Sequence, residues 1–133
     1  MTKIEHIGIA VKDIHAANDT YTKLLGSPPY KTEAVVSEAV ETSFFKIGES
    51  KMELLQAINA DSAIAKYIAK RGEGIHHIAF AVEDIEKEIA RLTAEGFQPI
   101  STAPKPGADN KLVFFFHPKS ANGVLIELCQ EIK

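Results

Sequence analysis

The sequence predicts an α+β fold made of two paired βαβββ modules, and an internal repeat is the main reason. Residues 4–14, IEHIGIAVKDI, and residues 75–85, IHHIAFAVEDI, match at a constant spacing of 71 positions. Both segments alternate in hydrophobicity as a half-buried strand does, and each then reaches an aspartate that can cap a helix. The two copies also end alike, because residues 44–56 and 114–130 both finish in Glu-Leu-x-Gln.

Each module is predicted to place one helix directly after its first strand. In both copies the apolar side chains recur at helical spacing, and a glycine, Gly26 or Gly96, follows the last of them. Glycine at that place is typical of a helix end, because it adopts positive φ without strain. The predicted buried stripes are Ile14, Ala17, Tyr21, Leu24 and Leu25 in the first helix, and Ile85, Ile89 and Leu92 in the second.

A third helix is predicted to join the modules. Its N-cap is predicted to be Asp61, and its buried face consists of Ile64, Tyr67 and Ile68. We interpret residues 1–133 as a single domain with three parts: module one at about 1–58, the linking helix at about 61–71, and module two at about 74–133.

Composition and charge narrow the class of protein. The chain is 45% hydrophobic and 25% charged, which is typical of a globular protein. Its net charge is −3 and it has no run of Lys and Arg, so nothing indicates a nucleic-acid partner. The single cysteine excludes an internal disulfide framework, and no apolar run is long enough to span a bilayer. We therefore predict a reducing location, cytoplasmic or in an organelle matrix, and no membrane partner.

The repeat also selects four candidate functional side chains. His6 of the first copy aligns with His77 of the second, and Glu53 aligns with Glu127 at a spacing of 74. Two imidazoles and two carboxylates are a ligand set that suits a borderline divalent ion such as cobalt, nickel, manganese, zinc or iron. Any one of these residues alone is more often structural, so the prediction depends on their recurrence at equivalent positions.

A second histidine, His76, directly precedes His77 but aligns with Glu5 rather than with a histidine. Successive side chains of a strand point to opposite faces, so the two histidines cannot both face one site. We therefore predict that His77 is the functional member of the pair.

Beyond the repeat starts, the chain contains three distinctive stretches: GESKMELLQ, DSAIAKYIAKRGEGIHHIAFAVEDI and FFFHPKSANGVLIELCQ. Together with the repeat starts, these stretches resemble the methylmalonyl-CoA epimerases of the vicinal-oxygen-chelate (glyoxalase/dioxygenase) superfamily, and the resemblance covers nearly the whole chain. The resemblance implies that the modules form a curved, eight-stranded cleft around one divalent ion (cobalt, nickel, manganese or zinc). It implies the metal ligands His6, Glu53, His77 and Glu127, an acyl-CoA substrate and a homodimer.

The activity that the resemblance implies is an isomerase. It would interconvert (R)- and (S)-methylmalonyl-CoA by 1,1-proton transfer through a metal-stabilised enediolate. We predict Glu127, a carboxylate at the metal, as one catalytic group and Glu53, its equivalent in the repeat, as the other. Some family members have a glutamate in the second strand of the first module for one of these roles. Here the alignment from IGESKMELL places Thr42 at that position, and Glu41 would need a bulge to face the same side.

Three other functions stay open on the sequence alone. Glyoxalase I, a lactoylglutathione lyase, isomerises a hemithioacetal with the same fold, metal and proton chemistry. A ring-cleaving dioxygenase needs iron held by two histidines and one carboxylate, although such enzymes usually have longer chains. A non-catalytic module of the same fold would bind a small molecule, but such modules often lack the complete ligand set.

Overall fold

The computed structural model describes residues 1–132 and contains the secondary structure that the repeat predicts. The elements are β1 (Lys3–Ala10), α1 (Ile14–Leu25), β2 (Lys31–Val35), β3 (Val40–Ile47), β4 (Ser50–Ala57), α2 (Ala63–Arg71), β5 (Gly74–Ala81), α3 (Ile85–Ala94), β6 (Lys105–Pro106), β7 (Lys111–Phe116) and β8 (Ile126–Glu131). Each module runs strand, helix and three strands, which confirms the predicted α+β class. Within these described residues, no helix is long and apolar enough to cross a membrane.

The chain forms two compact units. The first comprises His6–His76, and the second comprises Met1–Glu5 with the chain from His77 onward. In the first unit the strand order is β2-β3-β4-β1, with β1 and β4 parallel and the other pairs antiparallel. In the second unit the order β6-β7-β8-β5 repeats this arrangement, with β5 and β8 parallel. The repeat in the sequence is therefore a repeat in topology.

The strand register repeats as closely as the topology does. Glu53 of β4 lies opposite Gly8 of β1 in the first unit. Glu127 of β8 lies opposite Ala79 of β5 in the second. Gly8 and Ala79 are 71 positions apart in the sequence, whereas Glu53 and Glu127 are 74 apart. The second copy therefore has three more residues between β5 and β8, and they leave the pairing of these two strands unchanged.

Helix α1 begins and ends where the sequence predicts. The Asp13 carboxylate accepts hydrogen bonds from the backbone N–H groups of His15 and Ala16, and Gly26 follows the helix with φ of 81°. One member of the predicted stripe is wrong, because Leu24 is 68% exposed. Leu25 packs in the core at this end of the helix, and Leu24 lies about 100° around the axis from it.

Helix α2 begins one residue later than predicted. Its N-cap is Ser62, whose hydroxyl accepts a hydrogen bond from the N–H of Ala65, whereas Asp61 precedes the cap. Aspartate and serine are equally good N-caps, so residue type alone does not decide which of these two neighbours caps the helix. The predicted buried face holds for Ile64, which is buried, while Tyr67 is half-buried and donates its hydroxyl to the carbonyl of Ile75.

The glutamine that ends Glu-Leu-x-Gln has the same role in both units. Gln56 Oε1 accepts a hydrogen bond of 2.7 Å from the backbone N–H of Ile14, and Gln130 Oε1 accepts one of 2.7 Å from Ile85. Each N–H belongs to the first residue of a helix, where backbone donors have no partner within the helix. The last strand of each module is thereby tied to the start of its own helix.

Replacing Gln130 by alanine is expected to lower the free energy of unfolding by about 1–2 kcal/mol. The change removes a hydrogen bond and leaves a partly buried N–H donor without its acceptor. Gln56→Ala should have a similar effect, and urea titration measures both. Gln98→Ala, which truncates an exposed glutamine, is the matched control and should change stability by less than about 0.5 kcal/mol. Unaltered stability in both strand variants would show that the ties contribute nothing.

Candidate functional site

The first unit holds a buried histidine–carboxylate pair formed by His6 and Glu53. His6 Nδ1 lies 3.0 Å from Glu53 Oε2, and each side chain is 5% exposed. Their strand neighbours Ile7 and Leu54 pack in the core with α1. Because side chains alternate along a strand, the pair lies on the face of the sheet opposite to this helix.

The second unit holds the matching pair, His77 and Glu127. His77 Nε2 lies 3.0 Å from Glu127 Oε1, and the two side chains are also nearly completely buried. Phe115 lies opposite Glu127 in the β7–β8 register, and its ring lies edge-on to the His77 ring, with 6.1 Å between the ring centroids. Leu128, beside Glu127 in the strand, packs in the core with α3, so this pair also lies on the face away from its helix.

Glu127 has a further contact that the repeat does not predict. Cys129 Sγ lies 3.0 Å from Glu127 Oε2, so the thiol donates a hydrogen bond to the carboxylate oxygen that does not face His77. Two residues after Glu53, the first unit has Leu55, which carries no donor. The residue two positions after the carboxylate can therefore donate a hydrogen bond in the second unit but not in the first.

The donor atoms of each pair fit a divalent ion. A buried carboxylate needs a compensating cation or several hydrogen-bond donors, because desolvation of an isolated charge is costly. Two ligand atoms about 2.1 Å from one ion and at right angles to each other lie about 3.0 Å apart. The nitrogen–oxygen distances of 3.0 Å in both units match that spacing, and they also match a proton shared between histidine and carboxylate. Each pair can thus contribute one nitrogen and one oxygen ligand.

His76 is placed differently from His77. It is half-buried, and its ring lies edge-on to Tyr67 with 5.0 Å between the centroids. Tyr67 belongs to the helix that links the two modules. The surroundings of His76 are thus those of a packed ring, whereas His77 meets a buried carboxylate.

Glu41 lies on the opposite face of β3 from the position that would meet Glu53. The β3–β4 register runs without interruption from Val40 to Ile47 and pairs Glu41 with Gln56, whose side chain reaches α1. Thr42, which pairs with Leu55, lies on the same face as Glu53. No bulge in β3 turns the Glu41 side chain toward the pair formed by His6 and Glu53.

Thr42 is also a residue that sequence reasoning did not single out for its own chemistry. Its side chain is fully buried, and Oγ1 has no hydrogen-bond partner within residues 1–132. A buried hydroxyl without a partner is uncommon and marks a place where a bound polar group can supply the missing bond. The signal that could have found it is its alignment with the glutamate of other family members.

Comparison with known proteins places the chain among related sequences and structures. A sequence profile of the Glyoxalase/Bleomycin resistance protein/Dioxygenase superfamily matches residues 5–130. The ethylmalonyl-CoA/methylmalonyl-CoA epimerase of Cereibacter sphaeroides is 37% identical over 130 residues, which cover 96% of this chain and 97% of that protein.

Two solved structures are similar over almost the full length. A variant of the Streptomyces coelicolor methylmalonyl-CoA epimerase, in complex with 2-nitronate-propionyl-CoA, has a TM-score of 0.95 and 34% identity, covering 100% of this chain and 99% of that one. A methylmalonyl-CoA epimerase in complex with methylmalonyl-CoA and ammonium has a TM-score of 0.94 and 35% identity, covering 98% and 95%. These similarities confirm the predicted fold class, the predicted family resemblance and the prediction of an isomerase-type enzyme.

Proposed function

Because this chain belongs to the Glyoxalase/Bleomycin resistance protein/Dioxygenase superfamily, we propose that it is a metal-dependent epimerase that interconverts (R)- and (S)-methylmalonyl-CoA. The observation that carries the proposal is the recurrence of a buried histidine–carboxylate pair at equivalent positions of both units. The names of the related proteins support the substrate, and the complexes with acyl-CoA compounds support its chemical class. The homodimer and the cytoplasmic location stay predictions.

The proposed ligands of the ion are His6, Glu53, His77 and Glu127. The support is the donor set, since two neutral imidazoles and two carboxylates suit cobalt, nickel, manganese or zinc and neutralise a dication. When bound, such an ion supplies a Lewis acid for the thioester and carboxylate oxygens of the substrate. Burial of all four side chains supports the same role, because a buried carboxylate needs a compensating cation or several hydrogen-bond donors.

Glu127 and Glu53 are proposed to move the proton. One carboxylate takes the proton from C2 of the substrate, and the electron pair of the C–H bond stays on the substrate. The other, in its protonated form, gives a proton to C2 from the opposite face, which inverts the centre. Each carboxylate oxygen has two lone pairs, so the group can bind the ion and accept a hydrogen bond and still take or give the proton.

Metal removal and replacement test this function directly. The protein is treated with a chelator, single metals are restored, and deuterium uptake at C2 of methylmalonyl-CoA is followed beside a hemithioacetal isomerisation assay. We expect exchange to disappear with the metal and to return with at least one of cobalt, nickel, manganese and zinc. Turnover of the hemithioacetal alone would identify a glyoxalase instead. If the protein binds no metal and turns over neither compound, it is a binding module.

A further inference from the structure

We propose that Cys129 is a positioning residue for Glu127. Its thiol holds Oε2 of the carboxylate so that Oε1 is presented to His77 and to the ion. This inference rests on the proposed function for the ion, but the hydrogen bond itself can be tested without any metal.

The contacts of the two carboxylate oxygens support this role. Oε2 accepts from Cys129 Sγ at 3.0 Å, and Oε1 lies 3.0 Å from His77 Nε2. The last torsion of a glutamate side chain is soft and turns over a broad range. With one oxygen held by the thiol and the other at His77, that torsion is fixed, and the ligand atom does not have to be ordered when an ion binds.

The surroundings of the thiol strengthen a hydrogen bond that is otherwise weak. Cys129 is 2% exposed and packs with the apolar side chains of Ala79, Val113 and Phe115, and its Sγ also lies within 4.8 Å of a carboxylate oxygen of the buried Glu5. A thiol is a poor donor in water, but an ionised acceptor and a low-dielectric environment both strengthen the bond.

The repeat shows that this contact belongs to one unit only. Cys129 is paired with Val113 across β7–β8, and the equivalent pair in the first unit is Leu55 with Thr42. In the first unit the polar member of this pair, Thr42, is on the neighbouring strand β3, whereas in the second unit the polar member, Cys129, is on the strand that carries the carboxylate. Only the second unit places a thiol two residues after its carboxylate, so only Glu127 is positioned in this way.

The first test is the infrared S–H stretching band of the metal-free protein, which is unambiguous because the chain has one cysteine. We expect the band at a lower frequency in the folded protein than in urea, as for a hydrogen-bonded thiol. Glu127→Leu, which removes the acceptor, should shift the band toward the position in urea. Glu53→Leu, the equivalent change in the first unit, should leave it in place. A band that is the same in the folded wild type and in Glu127→Leu would overturn the inference.

The second test measures the dissociation constant of cobalt by competition with a chromophoric chelator. Cys129→Val fills the space but has no hydrogen-bond donor, and it should weaken cobalt binding about 10-fold. Loss of a group that orients a metal ligand typically costs 10- to 100-fold in affinity, and we expect the lower end of that range. Cys129→Ser keeps a donor and should restore affinity to within about threefold of the wild type. Val113→Ala truncates an apolar neighbour in the same cluster and should bind cobalt like the wild type.

The outcomes separate the inference from the function on which it rests. Equal cobalt affinity in wild type and Cys129→Val, with tight binding in both, would overturn the positioning role and leave the function intact. Equal losses in Cys129→Val and Val113→Ala would also overturn it, because packing would then be the cause. If the wild type binds no divalent ion, the proposed function is wrong, and the S–H band alone decides whether Cys129 holds Glu127.

Discussion

Replacing Glu127 by glutamine is expected to lower the rate of epimerisation by about 10²–10⁴-fold, the range that a general acid or base contributes. Glutamine has the size of glutamate and keeps an oxygen that can bind a cation, but it cannot accept a proton from carbon. The effect should therefore fall on kcat, with KM changed little. Glutamine matches glutamate in size and shape, so the substitution should leave the fold intact although Glu127 is buried.

Proton exchange with each epimer supplied separately makes this prediction sharper. If Glu127 and Glu53 serve opposite faces of C2, each Glu→Gln variant exchanges the proton of one epimer only, and the two variants retain exchange with different epimers. NMR in deuterated water measures the loss of the C2 proton signal. Glu41→Gln is the control, because Glu41 lies on the other face of β3, and it should exchange both epimers. Exchange of both epimers at the wild-type rate in Glu127→Gln would remove Glu127 from the mechanism.

The comparison of the two variants also decides the role of Glu53. If Glu53 is only a ligand, its amide replacement can still offer an oxygen, and both epimers will exchange in Glu53→Gln. The second base would then lie elsewhere. Thr42 has no basic group and cannot take the role. Glu41 lies on the other face of an uninterrupted strand and could take it only after a change in the backbone.

The sequence predicts the topology well because it contains two periodic patterns, the alternation of side chains along each strand and the repeat of the whole module. Alternation along a strand assigns faces, and the repeat doubles the evidence for each face. This is how His77 is selected over His76, and why β4 and β8 each place a glutamate and a core leucine on opposite sides. The sequence pattern alone can assign each side chain to a face of the sheet, because the face is fixed by the backbone geometry of the strand.

Other features depend on contacts between distant segments, which periodicity does not encode. The roles of Gln56 and Gln130 are of this kind, because each bonds to a helix N–H that is more than 40 residues away. The hydrogen bond of Cys129 to Glu127 is local in sequence, yet a lone cysteine beside a glutamate more often indicates a small core residue. The exposure of Leu24 and the choice of Ser62 as cap were missed because positions next to each other at a helix end satisfy the same pattern equally well.

Replacing His77 by alanine is expected to raise the dissociation constant of the activating metal by more than about 100-fold, whereas His76→Ala should change it by less than about threefold. Even loss of a group that only orients a ligand costs 10- to 100-fold, so loss of a ligand should cost more. His77 is buried with its Nε2 at Glu127, and His76 has its ring against Tyr67. The two residues are neighbours in one strand and of one type, so each is the matched control for the other.

Titration with a chromophoric chelator as competitor measures both variants on the same scale, and urea titration shows whether either change has unfolded the protein. Loss of His77 also leaves the Glu127 carboxylate buried without the imidazole 3.0 Å away, so some loss of stability is expected even without metal. The change in metal affinity must therefore exceed what partial unfolding would produce. Metal binding retained in His77→Ala and lost in His76→Ala would mean that the ligand of this strand is on the other face. The repeat would then align the copies one residue out of place, and His6 and Glu53 would lose their support as ligands as well.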